Sequence, residues 1–273
     1  MSTIWMGVAI FLALVLVSVG MLRLRHRWAV TQVEQSLQSQ PTPPQFTEAM
    51  IAGLPAPVQR YFLHAIALGT PLSQVANLGM QGRFRLAHDR PWLPMQADEC
   101  IGNQGFVWQA VIGQGWSQFR GADYYLHGTG RMQFFWLGLL PIVDVHNADT
   151  ARSSIGRFVA EWFWLPSTLL LQPDAQWQVV AEDTIAVSFH WHGEPICLRL
   201  VIDGVGRLLQ MSCSRWGNVT DDQTWAYLPF GGTFPAEQTW DGFTIPSQIQ
   251  AGWWFGTERY LEFFQVTVDR AAF

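Results

Sequence analysis

The chain has no lysine and few charged residues of any kind. All 16 basic residues are arginine, and charged residues make up 14% of the 273 residues, against roughly 25% in an average soluble domain. Three of the arginines lie before residue 29, so the rest of the chain carries a net charge of about −8 (13 − 21). Because nucleic acid binding depends on clustered positive charge, this composition argues against nucleic acid as a partner.

Cysteine is also scarce. Cys100, Cys197 and Cys213 lie far apart and form no Cys-x-x-Cys pair, which argues against a disulfide scaffold and a zinc ribbon. We interpret Cys197 and Cys213, which lie in apolar runs, as buried thiols.

Motifs for common cofactors and metals are missing as well. The sequence contains no phosphate-binding glycine loop, no Gly-x-Ser-x-Gly elbow and no His-Glu-x-x-His, so no cofactor is expected. His190, His192 and Glu194 are residue types that bind zinc, but Gly193 indicates a solvent-exposed hairpin turn. We therefore expect no metal site.

One long hydrophobic run is present near the N-terminus. Residues 4–22 contain no charge, and 19 residues of helix span about 28 Å, close to the hydrocarbon thickness of a bilayer. No basic residue precedes Ile4, which disfavours a cleaved signal peptide. The run predicts a single-pass membrane anchor, and Arg23, Arg25 and Arg27 after it predict a cytoplasmic domain.

The sequence divides into three parts. Residues 1–28 form the anchor with its basic flank, and residues 29–46 form a linker that contains Pro41, Pro43 and Pro44. Residues 47–273 form one β-rich domain. Prolines in this spacing favour an extended, stiff connection.

The domain has a period-two pattern over most of its length. Met80, Gly82, Phe84 and Leu86 alternate with polar residues, which is typical of a half-buried strand. About a dozen such runs, separated by glycine-containing turns, predict an α+β fold with a large curved antiparallel meander and a few short helices. We expect the concave face of this sheet to enclose an apolar groove. The helices are expected at residues 47–52, at residues 57–67, and from a cap at Asp149 or Thr150 to Pro166.

Two groups of residues are candidates for catalysis. Glu161 lies among large aromatic side chains, where burial raises the pKa of a carboxyl group and suits it to acid–base chemistry. The alternative is a simple ion pair with Arg157, one helical turn earlier. Asp123, Tyr124 and His127 form a second polar group, with an ordinary turn as the alternative.

Other residues are candidates for ligand binding. Arg83 and Arg85 share one face of a strand and are suited to a carboxylate or a lipid phosphate. The alternative, which we favour, is a solvated sheet face. The sequence holds 15 tryptophans and 18 phenylalanines. We expect most of the tryptophans to lie in the core, and Trp108, Trp164 and Trp253 are candidates for the lining of an apolar site.

Several segments together resemble a bacterial family of unknown function. The resemblance lies in residues 54–62, 82–85, 106–110, 157–170 and 253–260, with Asp123-Tyr124, Gly128-Thr129-Gly130 and Ile245-Pro246. It covers about residues 54–268 and transfers no catalytic residue. The pattern is also distantly similar to curved-sheet lipoprotein-carrier domains, which implies a concave face that holds acyl chains.

Three functional hypotheses follow. The first is a membrane-tethered domain that binds a lipid or other apolar ligand. The second is an enzyme that acts on a membrane-associated substrate through Glu161 and Asp123. The third is a structural or assembly subunit of a membrane complex, with an unspecified protein partner.

Overall fold

A computed structural model describes residues 2–38 and 43–273 of the chain. Its described residues contain one open sheet of thirteen strands, and all neighbouring strands are antiparallel. The strands are β1 Val75–Phe84, β2 Leu93–Gly102, β3 Gly105–Ile112, β4 Phe119–Leu126, β5 Thr129–Trp136, β6 Leu140–Val145, β7 Gln176–Ala181, β8 Thr184–Trp191, β9 Glu194–Ile202, β10 Leu208–Gly217, β11 Ala226–Trp240, β12 Phe243–Trp253 and β13 Leu261–Ala272.

The helices are few, as the sequence predicts. They are α1 Ser2–Gln38, α2 Ala56–Ala65, α3 Ala148–Ala160 and α4 Pro166–Leu170, with short 3-10 helices at Glu48–Met50, Gly115–Ser117 and Glu161–Trp164. The cap of α3 is Asn147, not Asp149 or Thr150. Its side-chain oxygen accepts a hydrogen bond of 2.8 Å from the backbone N–H of Thr150, so the helix begins earlier than expected.

The strand order shows which strands lie in the middle of the sheet and which form its edges. β1 and β13 lie side by side in the middle of the sheet, while β6 and β7 form its two edges. The chain crosses from one edge to the other through α3, the 3-10 helix Glu161–Trp164 and α4. Helix α3 contacts β4 and β5 in one half of the sheet and β9 and β10 in the other. A single helix reaches both halves because the sheet curls around it, which confirms the predicted curved antiparallel sheet.

Two strands differ from the sequence-based expectation because of proline. Strand β6 was not predicted, since it contains Pro141; as an edge strand it tolerates a residue without a backbone N–H. In strand β11 the period-two pattern is interrupted by Pro229 and Pro235, but the strand continues to Trp240. A register shift between Thr233 and Ala236 absorbs the interruption.

Helix α1 covers part of the convex face of the sheet. Residues 29–38, which the sequence assigns to a linker, are the last turns of this helix. Val30, Val33 and Leu37 are buried there, against a cluster of side chains from β2, β3 and β4. That cluster consists of Cys100, Val107, Ala122 and Tyr124. The same helix, over residues 4–38, is long and apolar enough to cross a membrane. Pro41 lies outside the described residues.

A truncation of Leu37 tests this packing. Leu37 is 1% exposed, so Leu37→Ala is expected to lower the free energy of unfolding by about 2–5 kcal/mol. The matched change Leu24→Ala, at a side chain that is 66% exposed on the same helix, is expected to have little effect. Chemical unfolding of the full chain in mild detergent, followed by tryptophan fluorescence, measures both. Equal effects of the two variants would contradict the docking of α1.

Candidate functional site

The concave face of the sheet contains a cavity of about 510 Å³. This volume lies within the usual range of small-molecule sites. Most of its wall is aromatic or aliphatic, and the charged side chains in it are those of Arg85, Asp123, Arg157, Glu161 and Arg215. The aromatic wall includes Trp108, Phe134, Trp164, Phe230, Trp253 and Phe264. We call this space the concave cavity.

Strand register places a row of side chains across one half of the concave face. Glu99 of β2 pairs with Trp108 of β3, which pairs with Asp123 of β4, and the row continues through Met132 of β5 to Val145 of β6. Residues that are directly opposite on neighbouring strands point to the same face. The row therefore runs from a fully buried carboxyl group, through an indole and a second carboxylate, to two exposed apolar side chains.

Helix α3 supplies the cation that joins the carboxylates. The guanidinium of Arg157 donates to Glu161 over 2.8 Å, to Asp123 over 2.7 Å and to Glu99 over 3.1 Å, each from a different nitrogen. Its carbon also lies 4.6 Å from the ring centre of Phe106. The i,i+4 pair with Glu161, which the sequence offered as an alternative to catalysis, is therefore present.

The charges of this group favour retention of one proton. Burial raises the pKa of Glu99 well above its ordinary value, and the nearby negative charge of Glu161 raises it further. Burial also raises the pKa of Glu161, to which Glu99 is hydrogen-bonded. Oε2 of each residue is buried without a hydrogen-bond partner, so we infer that the pair shares one proton, which lowers the repulsion between the two carboxyl groups.

Arg157 and Arg215 keep their charge at neutral pH. Burial alone lowers the pKa of Arg157, but the charges of Glu161, Asp123 and Glu99 outweigh it, and the net shift is upward. Burial and the charge of Arg157 lower the pKa of Arg215 to about 10. Arg215 donates to the backbone oxygen of Ser153 over 3.1 Å, and its guanidinium lies over the rings of Phe230 and Trp253 at 4.7 and 4.8 Å.

The structure brings together some of the residues that the sequence proposes for ligand binding. Trp108, Trp164, Trp253 and Arg85 all line the concave cavity. Arg85 donates to the backbone oxygen of Glu262 and lies 4.7 Å from the ring centre of Trp92.

Arg83 lies outside the cavity. It is exposed and hydrogen-bonded to Gln265, and its guanidinium lies 5.0 Å from the ring centre of Trp92.

The polar group of Asp123, Tyr124 and His127 does not form one site. Asp123 faces the cavity, whereas Tyr124 is buried on the convex face against α1. Neighbouring residues of a strand point to opposite faces, so the two side chains cannot meet. His127 is exposed at the turn after β4, with a φ of 48°. Only Asp123 joins Glu161 at the cavity wall.

Sequence reasoning missed Glu99 and Arg215. The signal for Glu99 was present, because it follows Met95 and Ala97 in the inward-facing positions of β2 and precedes Ile101. A carboxyl group in an otherwise apolar alternation indicates a buried charge with a partner. No comparable pattern marks Arg215.

The remaining motifs lie elsewhere on the surface. Glu194 accepts hydrogen bonds from Arg152 over 2.8 Å and from Tyr227 over 2.5 Å, and His190 and His192 are exposed. Cys197 is exposed rather than buried, because it lies on the uncovered face of β9. The prediction of a buried thiol was wrong there.

Comparison with known proteins gives a family. The sequence profile of one family, described as a family of unknown function (DUF6544), matches residues 44–266. A LolA superfamily protein from Nitrosomonas europaea is similar in structure, with 12% identity, a TM-score of 0.43, and coverage of 79% of this chain and 91% of that chain. A domain from Vibrio parahaemolyticus, described as an outer membrane lipoprotein-sorting protein, has 9% identity, a TM-score of 0.38, and coverage of 74% and 85%. Among curated proteins, none matches the chain.

Replacement of Glu99 by glutamine tests the shared proton. Because the pKa of Glu99 is raised in the folded chain, its contribution to stability is present in full below its ordinary pKa and is lost as the pH rises through the raised value. Glutamine imitates the protonated acid, so Glu99→Gln is expected to reduce the fall in melting temperature between about pH 5 and about pH 8. Thermal melts of the full chain at both pH values measure this change.

The control for this experiment is Glu182→Gln, at an exposed position between β7 and β8. It is expected to retain the pH dependence of the unmodified chain. If Glu99→Gln melts at a lower temperature than the unmodified chain at the higher pH, the account of the shared proton is wrong.

Proposed function

The chain belongs to the family of unknown function whose profile it matches, and we propose that it is a membrane-tethered domain that binds a lipid or another apolar ligand in its concave cavity. The observation that carries this proposal is the aromatic cavity itself, enclosed by the curled sheet and α3. Apolar walls with a few grouped polar side chains are the usual composition of a small-molecule site.

The edge of the cavity supports entry by an apolar molecule. Leu86, Met132 and Val145 belong to its lining and are 62%, 38% and 38% exposed. Large apolar side chains that are exposed next to a cavity are suited to an apolar ligand that enters or leaves.

Helix α1 supports the tether. Residues 4–17 are exposed along an apolar helix, and the same helix continues without a break into the turns that pack on the convex face. His26 also contacts the sheet, through a hydrogen bond of 2.8 Å between its Nδ1 and Oε1 of Gln133. A domain attached in this way stays close to the bilayer, where apolar molecules are concentrated, and the three arginines after the anchor favour the cytoplasmic side.

An enzyme that uses Glu161 and Asp123 is the second candidate, because both carboxylates line the cavity. Each of them accepts a hydrogen bond from Arg157 with one oxygen. That arrangement positions polar groups for a ligand, so binding is the better supported function.

A cavity-filling change tests the proposal. Ala251 lines the cavity, and Ala251→Phe is expected to occupy part of it and to weaken the binding of the apolar fluorophore N-phenyl-1-naphthylamine by about tenfold, roughly 1.4 kcal/mol. Fluorescence titration of the full chain in mild detergent measures the binding. The matched change Ala181→Phe, at an exposed position of β7, is expected to have no effect. Equal binding by both variants and the unmodified chain would refute the cavity as the binding site.

Labelling of the exposed thiol of Cys197 tests on which side of the membrane the domain lies. Burial raises the pKa of Cys100 and of Cys213 to about 12 in each case, which leaves Cys197 as the accessible thiol. A membrane-impermeant maleimide applied to intact bacterial cells is expected to label the full chain only after lysis. Labelling before lysis, absent from a Cys197→Ser variant, would place the domain outside the cytoplasm.

A further inference from the structure

Two polar atoms on the wall of the concave cavity are buried without a hydrogen-bond partner. They are Nε1 of Trp108 and Oδ1 of Asp123. The two residues are 4% and 5% exposed, both line the cavity, and they are directly paired across β3 and β4. Side chains paired in this way are close neighbours on one face of the sheet. One atom is a donor without an acceptor, and the other is an acceptor without a donor.

Other groups in the same place have internal partners. The indole N–H of Trp164, also in the cavity wall, donates to the backbone oxygen of Pro246 over 3.0 Å. Oδ2 of Asp123 accepts from Arg157. An unpaired buried polar group is destabilising, so an adjacent donor and acceptor without partners indicate a position for a ligand atom.

We propose that Trp108 and Asp123 bind the polar end of the ligand, and that this end is an uncharged hydroxyl group on an apolar molecule. The hydroxyl oxygen accepts the hydrogen bond from Nε1 of Trp108, and the hydroxyl proton is donated to Oδ1 of Asp123. The rest of the molecule lies against the aromatic wall. This inference rests on the proposed binding function and specifies its ligand class.

The unpaired oxygen of Asp123, Oδ1, disfavours an anionic ligand. A carboxylate or a phosphate diester has no proton to donate to Asp123, and at this position it meets the negative charge of that residue. Arg85 and Arg215, which also line the cavity, donate to the backbone oxygens of Glu262 and Ser153, respectively.

The local charge gives no reason for a cationic ligand. The carboxyl groups of Glu99, Asp123 and Glu161 lie near the cavity together with three guanidinium groups, those of Arg85, Arg157 and Arg215. The negative charges therefore do not outnumber the positive ones. An uncharged ligand leaves this balance unchanged.

Displacement by two probes of equal chain length tests the inference. The full chain in mild detergent is loaded with N-phenyl-1-naphthylamine, which is then displaced by dodecanol or by dodecanoate at about pH 8. The unmodified chain is expected to bind dodecanol about tenfold more tightly than dodecanoate. Trp108→Phe keeps an aromatic ring but removes the N–H donor. It is expected to weaken the binding of dodecanol by about three- to tenfold. Trp136→Phe is the matched control, because the N–H of Trp136 donates to the backbone oxygen of Trp116 outside the cavity.

A second variant makes the result independent of the folding of Trp108→Phe. Asp123→Asn keeps an oxygen for Arg157 and replaces the unpaired acceptor by an N–H donor, so it is expected to shift the preference toward dodecanoate. Equal binding of the two probes, or an unchanged preference in Asp123→Asn, overturns the hydroxyl assignment while apolar binding stands. If the fluorophore itself does not bind to the unmodified chain, the proposed function fails as well.

Discussion

The contact of Arg157 with three carboxyl groups is the interaction on which the site depends. Glu99 and Asp123 come from β2 and β4, and Glu161 comes from the 3-10 helix that follows α3. The guanidinium thereby fixes the crossing helix to the inner face of the sheet. Loss of one partner in such a buried group costs about 3–5 kcal/mol, because the remaining charges have no compensation.

The two faces of the sheet have separate tasks. The convex face is covered by the end of the helix that carries the apolar N-terminal segment, and the concave face encloses the aromatic cavity. A side chain on β4 therefore points to the concave face if its residue number is odd and to the convex face if it is even. Asp123 and Tyr124 are adjacent in the sequence, yet one contributes to the cavity and the other packs against α1. In our account, the tether and the binding site are built on the same strands without contact between their side chains.

The sequence predicts the curved antiparallel sheet because its alternation is clear, but it predicts individual elements less well. Strand β6 was not predicted because it contains Pro141. Proline is excluded from central strands and tolerated at edges. Residues 29–38 were assigned to a linker that could begin as a short helix, but their polar composition did not show that they continue α1 and pack on the sheet through Val30, Val33 and Leu37. Trp108, Asp123 and Glu161 could be proposed from residue type and neighbours. Their meeting at Arg157 and at one cavity could not, because it depends on strand register and on the path of α3 across the sheet.

The central claim is that the concave cavity holds an apolar molecule with a hydroxyl group. Native mass spectrometry of the full chain, extracted from membranes in mild detergent, tests it most directly. The account predicts a population that carries one additional molecule, which fragmentation identifies as an uncharged hydroxylated lipid. A chain with no bound molecule, which also gains none on incubation with dodecanol, would contradict it.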